Sequence, residues 1–314
     1  TTHAGPELGN AFADVISGKY SPAGRLAQTW YKSEYELAPI ECYDIIENDM
    51  TYLYYRGKRL YPFGYGLSYA KFEYSDFDVK ENGDAISVSL DVTNVSETDS
   101  DEVVQIYFRM ENPSVKRPLR QLVAFARERI EGGRTRHFEF DIKKSELRFY
   151  DVSRERFAVE QGRYTFMAGA SSEDIRLTKT IDVSGEIIPP RELCKGVKAK
   201  NYDGKCGAKM KYSKKLEQHY MLGGGLIYNN CVLGEADSIE IVCGSRVNMG
   251  KITVRYGGET LCEAEVKPTV DVTEFETVTA QFDKAVLAGI DREKPAVFEL
   301  WMPEQIYILG FRTY

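Results

Sequence analysis

Histidine is scarce in this 314-residue sequence, with three copies, and tryptophan scarcer, with two. His3, His137 and His219 are scattered and show no H-x-x-x-H spacing, so no histidine-based metal motif is present. The six cysteines, Cys42, Cys194, Cys206, Cys231, Cys243 and Cys262, contain no C-x-x-C pair, which removes zinc knuckles and thioredoxin-type redox chemistry. Five of them fall from Cys194 onward, where a disulfide is open, but a chain of this size has enough core to do without one. Cys243 ends the apolar run Ile239-Glu240-Ile241-Val242-Cys243 and reads as a buried free thiol, which favours a reducing, cytoplasmic setting without fixing it. No run approaches the roughly 18 to 20 apolar residues of a membrane span. Net charge is −7, the wrong sign for a nucleic-acid binder, which must displace counterions with a basic surface. Nine Lys/Arg against Glu192 and Asp203 between Arg191 and Lys215 are the local exception, read as a solvated basic face. There is no G-x-S-x-G nucleophile elbow. Gly223-Gly224-Gly225 lacks the Lys-Ser/Thr of a P-loop and reads as a turn before a strand. No cofactor is called for.

What is present suits two or three soluble domains, with 43% hydrophobic and 28% charged residues. The start, Thr1 to Pro6, has neither an initiator Met nor a basic-then-apolar leader and reads as a cut end, so any targeting segment would be out of view. Leu8, Ala11, Phe12, Val15 and Ile16 recur at helical spacing; Pro6 suits the first turn, Gly18 the C′ position, and Pro22 blocks continuation. An isolated helix of about 12 residues is marginal in water, so this one needs a larger partner, expected outside the chain. From 25 to 69 aromatics are dense and periodicity is weak, as in a packed, turn-bearing linker.

At Phe72 the period becomes two. Ile86, Val88, Leu90 and Val92 alternate with polar residues, and Val104 to Met110, Phe138 to Ile142 and Tyr164 to Ala168 do the same. Turn signals at Asn82-Gly83, 94–100, Gly132-Gly133 and Gln161-Gly162 separate about seven strands, the pattern of an antiparallel sandwich. Pro189-Pro190 then marks a boundary. Beyond it strands are expected at 226–228, 238–243, 251–256, 263–266, 277–282, 297–300 and 305–312, with a Gly257-Gly258 hairpin. The fold class expected is mainly β, two antiparallel β-sandwiches after a short α/β remnant. The expected divisions are 1–34, a 35–71 linker, 72–186 and 191–314.

The segment Gly5-Pro6-Glu7-Leu8-Gly9-Asn10-Ala11 through Ser21-Pro22-Ala23-Gly24-Arg25-Leu26, followed by Thr29-Trp30-Tyr31, resembles the last helix and strand of the α/β-sandwich domain in family 3 glycoside hydrolases. Tyr61-Pro62-Phe63-Gly64-Tyr65-Gly66-Leu67-Ser68-Tyr69 is similar to that family's most specific motif here. Asp101 to Tyr107, Gly162-Arg163-Tyr164 and Gly169 to Ser172 resemble its fibronectin type III-like domain, so the resemblance spans 5 to 183. Residues 223–228, 252–258 and 277–280 look like a family 6-type carbohydrate-binding sandwich, with Phe275 where such modules often carry a stacking Trp.

The resemblance implies a retaining β-glucosidase or β-xylosidase whose nucleophile and acid/base lie in an amino-terminal barrel and an α/β sandwich, both upstream of the part seen here. No catalytic residue is therefore assigned, although Ser75-Asp76-Phe77 superficially echoes the family's nucleophile motif. Carbohydrate is the expected ligand, with Tyr202, Tyr220, Tyr228, Phe275 and Trp301 as stacking candidates. No acidic cluster is dense enough to name metal ligands. The expected partners are the missing catalytic domains, in the same or a separate chain, and self-association is left open. A stand-alone carbohydrate-binding or structural module and one half of a split glycosidase remain the rival readings.

Overall fold

The structure, a computed structural model, describes residues 5–40, 42–269 and 274–314. It is mainly β, and divides into two compact units: Thr1–Phe149 with Ala158–Ile187, and Tyr150–Phe157 with Ile188–Tyr314.

The first unit opens with α1 (Leu8–Ile16), whose C-terminal Gly18 turns with φ +76°. No residue of α1 is buried; Phe12 is 48% and Ile16 77% exposed, so its apolar stripe lies uncovered. After the short strand β1 (Trp30–Tyr31), the turn α2 (Thr51–Tyr54) and β2 (Arg59–Tyr61, paired with β1) comes the sandwich. Its strands are β3 (Phe72–Asn82), β4 (Ala85–Asn94), β5 (Ser100–Met110), β6 (Gln121–Ile130), β7 (Thr135–Lys143), β10 (Gly162–Gly169) and β11 (Ile175–Val183); between β7 and β10 the chain forms a small hairpin of β8 (Phe149–Asp151) and β9 (Arg156–Ala158), of which Tyr150–Phe157 belongs to the second unit. Sheet orders β3-β4-β7 and β11-β10-β5-β6 face each other as the expected seven strands. Along β4, Ile86, Val88, Leu90 and Val92 are buried while their neighbours are half-exposed, because successive side chains point to opposite faces.

β5 differs from the half-buried reading. Val104, Ile106 and Phe108 enter the core, but Gln105 and Tyr107 on the opposite face are buried too. The aromatic segment covers that outer face: the Tyr52 ring lies 6.3 Å from Tyr107 and stacks on Phe63 at 4.1 Å. Other members of the same segment stay exposed, among them Tyr35, Ile40 and Tyr43.

The second unit contains β12 (Arg191–Glu192), β13 (Val197–Lys198), β14 (Gly204–Cys206), β15 (Lys209–Ser213), β16 (Gln218–Val232), β17 (Ser238–Ser245), β18 (Gly250–Tyr256), β19 (Glu259–Val266), β20 (Glu276–Gln281), α3 (Lys284–Gly289) and β21 (Ala296–Thr313). The strands join through the two longest, β16 and β21, around one core that includes Leu226, Tyr228, Ile241, Val254, Phe298 and Leu300. The Gly257-Gly258 hairpin forms as expected, joining Tyr256 to Glu259. Two expectations are corrected. Gly223 to Gly225 is not a turn before a strand; it is a bulge within β16, with Gly223 and Gly224 at φ +59° and +72°. The strands expected at 297–300 and 305–312 are one, because β21 bends past Pro303 opposite that bulge and keeps pairing on both sides of it. No helix among the described residues is long and apolar enough to cross a membrane.

Candidate functional site

In the first unit the motifs picked out in the sequence meet one another. Gly64 N donates to Leu26 O and Leu26 N to Tyr65 O, so the segments 21–26 and 61–69 run as a short backbone ladder. The Ser21, Ser68 and Ser100 hydroxyls hydrogen-bond with one another at 2.8 to 3.3 Å. Gln105 Nε2 donates to Gly64 O (3.2 Å) and Ala170 O (2.6 Å), and Ser172 N donates to Phe63 O (2.9 Å). The two glycines of the aromatic motif have a steric reason: a Cβ at Gly64 would run into Gln105, and one at Gly66 into the Gly24 carbonyl and Arg25.

Beside this ladder lies a buried ion pair. Arg25 Nη2 reaches Glu102 Oε2 at 3.0 Å, with the side chains 11% and 2% exposed. Tyr74 donates its hydroxyl to the other Glu102 oxygen at 2.7 Å, while Arg176 sits 4.6 Å over the Tyr74 ring. Burial, then the Glu102 charge, holds the Tyr74 phenol well above its ordinary value, so it remains a donor. A second carboxylate, Asp174, pairs with Arg176 at 2.9 Å, and Arg25, Glu102, Asp174 and Arg176 line one cleft, so each acid of the group is held by an arginine.

In the second unit the five stacking candidates separate. Tyr228 is wholly buried, its hydroxyl on Ala199 O (3.0 Å) and the Arg191 guanidinium 5.2 Å over its ring. Tyr220 is buried edge-on to Tyr307 at 5.8 Å. Tyr228 is part of the core of this unit, whereas Tyr220 lies outside that cluster and is covered by Tyr307 and Phe275, so neither ring is open in this arrangement. Tyr202 is half-buried against the same core, and half-buried Phe275 packs on Tyr220 and Tyr307. Trp301 is different. It pairs with Gly225 on β16 and Thr253 on β18, and a Cβ at Gly225 would meet indole carbons at 2.7 Å. The ring rests on a strand position that only glycine leaves free. Directly paired residues share a face. Gly225, Trp301, Thr253 and Glu263 therefore make one row, and Ile227, Glu299 and Arg255 the next. Glu299, Arg255 and Gly225 were not singled out by sequence reasoning, although their alternation with Leu300, Val254 and Leu226 carries that information.

The remaining chemical candidates are dispersed. Asp76 is exposed on a β-bulge at φ +52°. His137 bonds to Asp91 at 2.5 Å on the surface of β7, and His219 lies 5.0 Å from Tyr212. His3 falls outside the described residues. Among the described residues no three His, Cys, Asp or Glu side chains converge as a metal-binding group.

Comparison with known proteins agrees with this geometry. Residues 1–69 match the glycosyl hydrolase family 3 C-terminal domain, and residues 102–172 the fibronectin type III-like domain. A xylan 1,4-beta-xylosidase of Xylanibacter ruminicola is 35% identical over 180 residues, covering 56% of this chain and 20% of that protein. Thermostable beta-glucosidase B of Acetivibrio thermocellus is 34% identical over 200 residues, covering 58% and 26%. Among solved structures, beta-glucosidase 3B of Thermotoga neapolitana superposes with a TM-score of 0.54 at 30% identity, over 58% of this chain and 28% of that one. The chain thus spans about a fifth to a quarter of the curated relatives it matches. Over these residues it is similar to the carboxy-terminal part of family 3 glycoside hydrolases and to their fibronectin type III-like domain.

Proposed function

We propose that this chain is the non-catalytic carboxy-terminal portion of a retaining β-glycosidase acting on β-linked glucosides or xylosides, and that it braces the catalytic domains. The observation that carries the reading is a contrast within the first unit. The segments 21–26 and 61–69 are fastened to the sandwich by Gln105, Glu102 and the serine cluster, while Phe12, Ile16, Tyr35, Ile40, Leu67 and Tyr69 of the same region are left exposed. A region so fixed on one side and so apolar on the other suits contact with a further domain. The xylosidase and glucosidases it resembles are several times longer, which supports catalytic domains as that partner.

Retaining hydrolysis needs two carboxyl groups about 5 to 5.5 Å apart. In this reading they belong to the parent's barrel and α/β domains. The chain alone should not release nitrophenol from aryl β-glucosides or β-xylosides, whereas the same chain joined to those domains should. Turnover by the isolated chain that disappears when one of its own acids is substituted would refute the division of labour.

Trp301 favours a second role for the last unit, as a carbohydrate platform. An indole backed by Gly225 and flanked by Thr253, Glu299 and Arg255 combines a stacking surface with donors and acceptors for hydroxyls. Titration with xylo- and cello-oligosaccharides should perturb Trp301 fluorescence; silence across both series would remove this role.

A further inference from the structure

The first unit holds an unbalanced group of arginines at one end of its four-stranded sheet. The last registered pair of the β5–β6 ladder is Phe108↔Gln121, and the next residues outward on each side are Arg109 and Arg120. Like charges placed opposite one another across a ladder repel. Burial first, then the neighbouring Arg59 charge, lowers the pKa of half-buried Arg120; the acid that offsets this, Glu173, is already ion-paired with Arg59. Exposed Arg56 and Arg109 line a cleft of about 540 Å³ together with Lys116 and Arg117, against one acid, Glu111. Lys116 is paired with Asp49 (2.7 Å), and Arg117 packs 3.7 Å over the Phe149 ring beside Glu160. Arg56, Arg109 and Arg120 have no such acidic partner among the described residues. The backbone holds them in place, since Leu119 N donates to Leu53 O (2.7 Å) and Leu122 N to the Tyr52 hydroxyl (3.3 Å).

We propose that a carboxylate- or phosphate-bearing ligand binds at this sheet end through Arg56 and Arg109 of the cleft and through Arg120, which follows the cleft residue Leu119 and lies opposite Arg109 on the ladder. The planar guanidinium fork pairs either oxyanion in two-pronged fashion, and an anion seated there would relieve the repulsion between the strand-end arginines. The site uses no residue of the Arg25–Glu102 clamp, so it stands or falls apart from the bracing role.

The test is calorimetric titration of the whole chain at constant ionic strength with inorganic phosphate, with glucuronate, and with glucose as the uncharged control. Saturable one-to-one binding of at least one anion is expected, with none of glucose. Arg120→Gln should weaken it at least tenfold, Arg120→Lys should fall in between, and Lys195→Gln, which removes an exposed lysine of the other unit, should leave it unchanged. Phosphate without glucuronate identifies a phosphate-bearing ligand, and the reverse a carboxylated sugar. In anion-free buffer Arg120→Gln should melt no lower than the unsubstituted chain, because it removes repulsion; a purely structural arginine would lower the midpoint. Absence of saturable binding by both anions, binding that Arg120→Gln retains, or a lowered midpoint for that variant would each overturn the proposal.

Discussion

Replacing Arg25 by Met is the most direct probe of the clamp that ties the amino-terminal segment to the sandwich. The guanidinium disappears while the Glu102 carboxylate, 2% exposed, stays in place with the Tyr74 hydroxyl as its close donor. Breaking a buried pair on one side costs about 3–5 kcal/mol, because the surviving charge keeps its desolvation penalty. The Tyr74 hydrogen bond and the Arg176 charge beyond it offset part of that loss, which places the expectation near the lower end, about 3 kcal/mol. Glu102→Gln keeps an acceptor for Tyr74 and should cost less, about 1–2 kcal/mol. The double variant Arg25→Met/Glu102→Leu removes both buried charges and should be less damaging than Arg25→Met alone. Urea unfolding can follow the two units separately, since Trp30 lies in the first and Trp301 in the second. In a Trp301→Phe background the Trp30 transition should move to lower urea for Arg25→Met. In heat the same loss is about 6–12 °C for a unit of this size. A shift below 1 kcal/mol, or a double variant that loses the sum of the two single losses, would show that the pair is not the clamp described.

Three further outcomes can be checked. Exposed Cys42, Cys194 and Cys206 should react with an aromatic disulfide reagent in the native chain, whereas burial pushes Cys231 and Cys243 up to about 12 and keeps them silent until unfolding; native labelling of either one contradicts the core packing. The hydrogen bond to Asp91, then its charge, raises the pKa of His137, so the pair's stabilisation is fully present below the unfolded value of about 6.5 and fades as pH rises through the higher folded value. An NMR titration should show the raised midpoint falling back in Asp91→Asn, and an unchanged midpoint would sink the assignment. Gly225→Val should displace the indole, shifting Trp301 emission to the red and abolishing any response to oligosaccharides while the Trp30 transition stays put.

Much of the fold was written in alternation. Ile86 to Val92, and the chain reversal at Asn82-Gly83, needed no information beyond the order of apolar, polar and glycine residues. Where a second layer covers a strand, alternation stops reporting burial, and Gln105 and Tyr107 look like solvent-facing positions until the aromatic segment is laid over them. The helix Lys284–Gly289, capped by Asp283 accepting from Ala285 N, is too short to leave a periodic signal, since six residues hold too few turns. Tyr228 was legible as core, since it shares its phase with Leu226. The platform around Trp301 was half visible, for the indole stood out but its glycine floor and charged neighbours depend on register, which the sequence does not state.

The motifs that mark this family-level likeness make exacting spatial demands. In Tyr61 to Tyr69 both glycines lie where any Cβ would strike a neighbouring segment, and the Phe63 and Gly64 carbonyls accept from Ser172 N and Gln105. Such close approach of backbones tolerates no added volume, since packed interiors relax only partially around an intruding group. Selection on the catalytic centre would then reach this distant stretch through position alone: a loosened ladder between 21–26 and 61–69 would let the apolar surface of α1 and its surroundings drift relative to whatever they support. Gly66→Ala therefore separates the two ideas. It leaves every ionisable group intact, and a loss of activity in the full-length protein accompanied by an earlier unfolding transition would locate the motif's importance in geometry. Lost activity with unchanged unfolding would point instead to a chemical role for the motif, whose tyrosines and Ser68 carry hydroxyls.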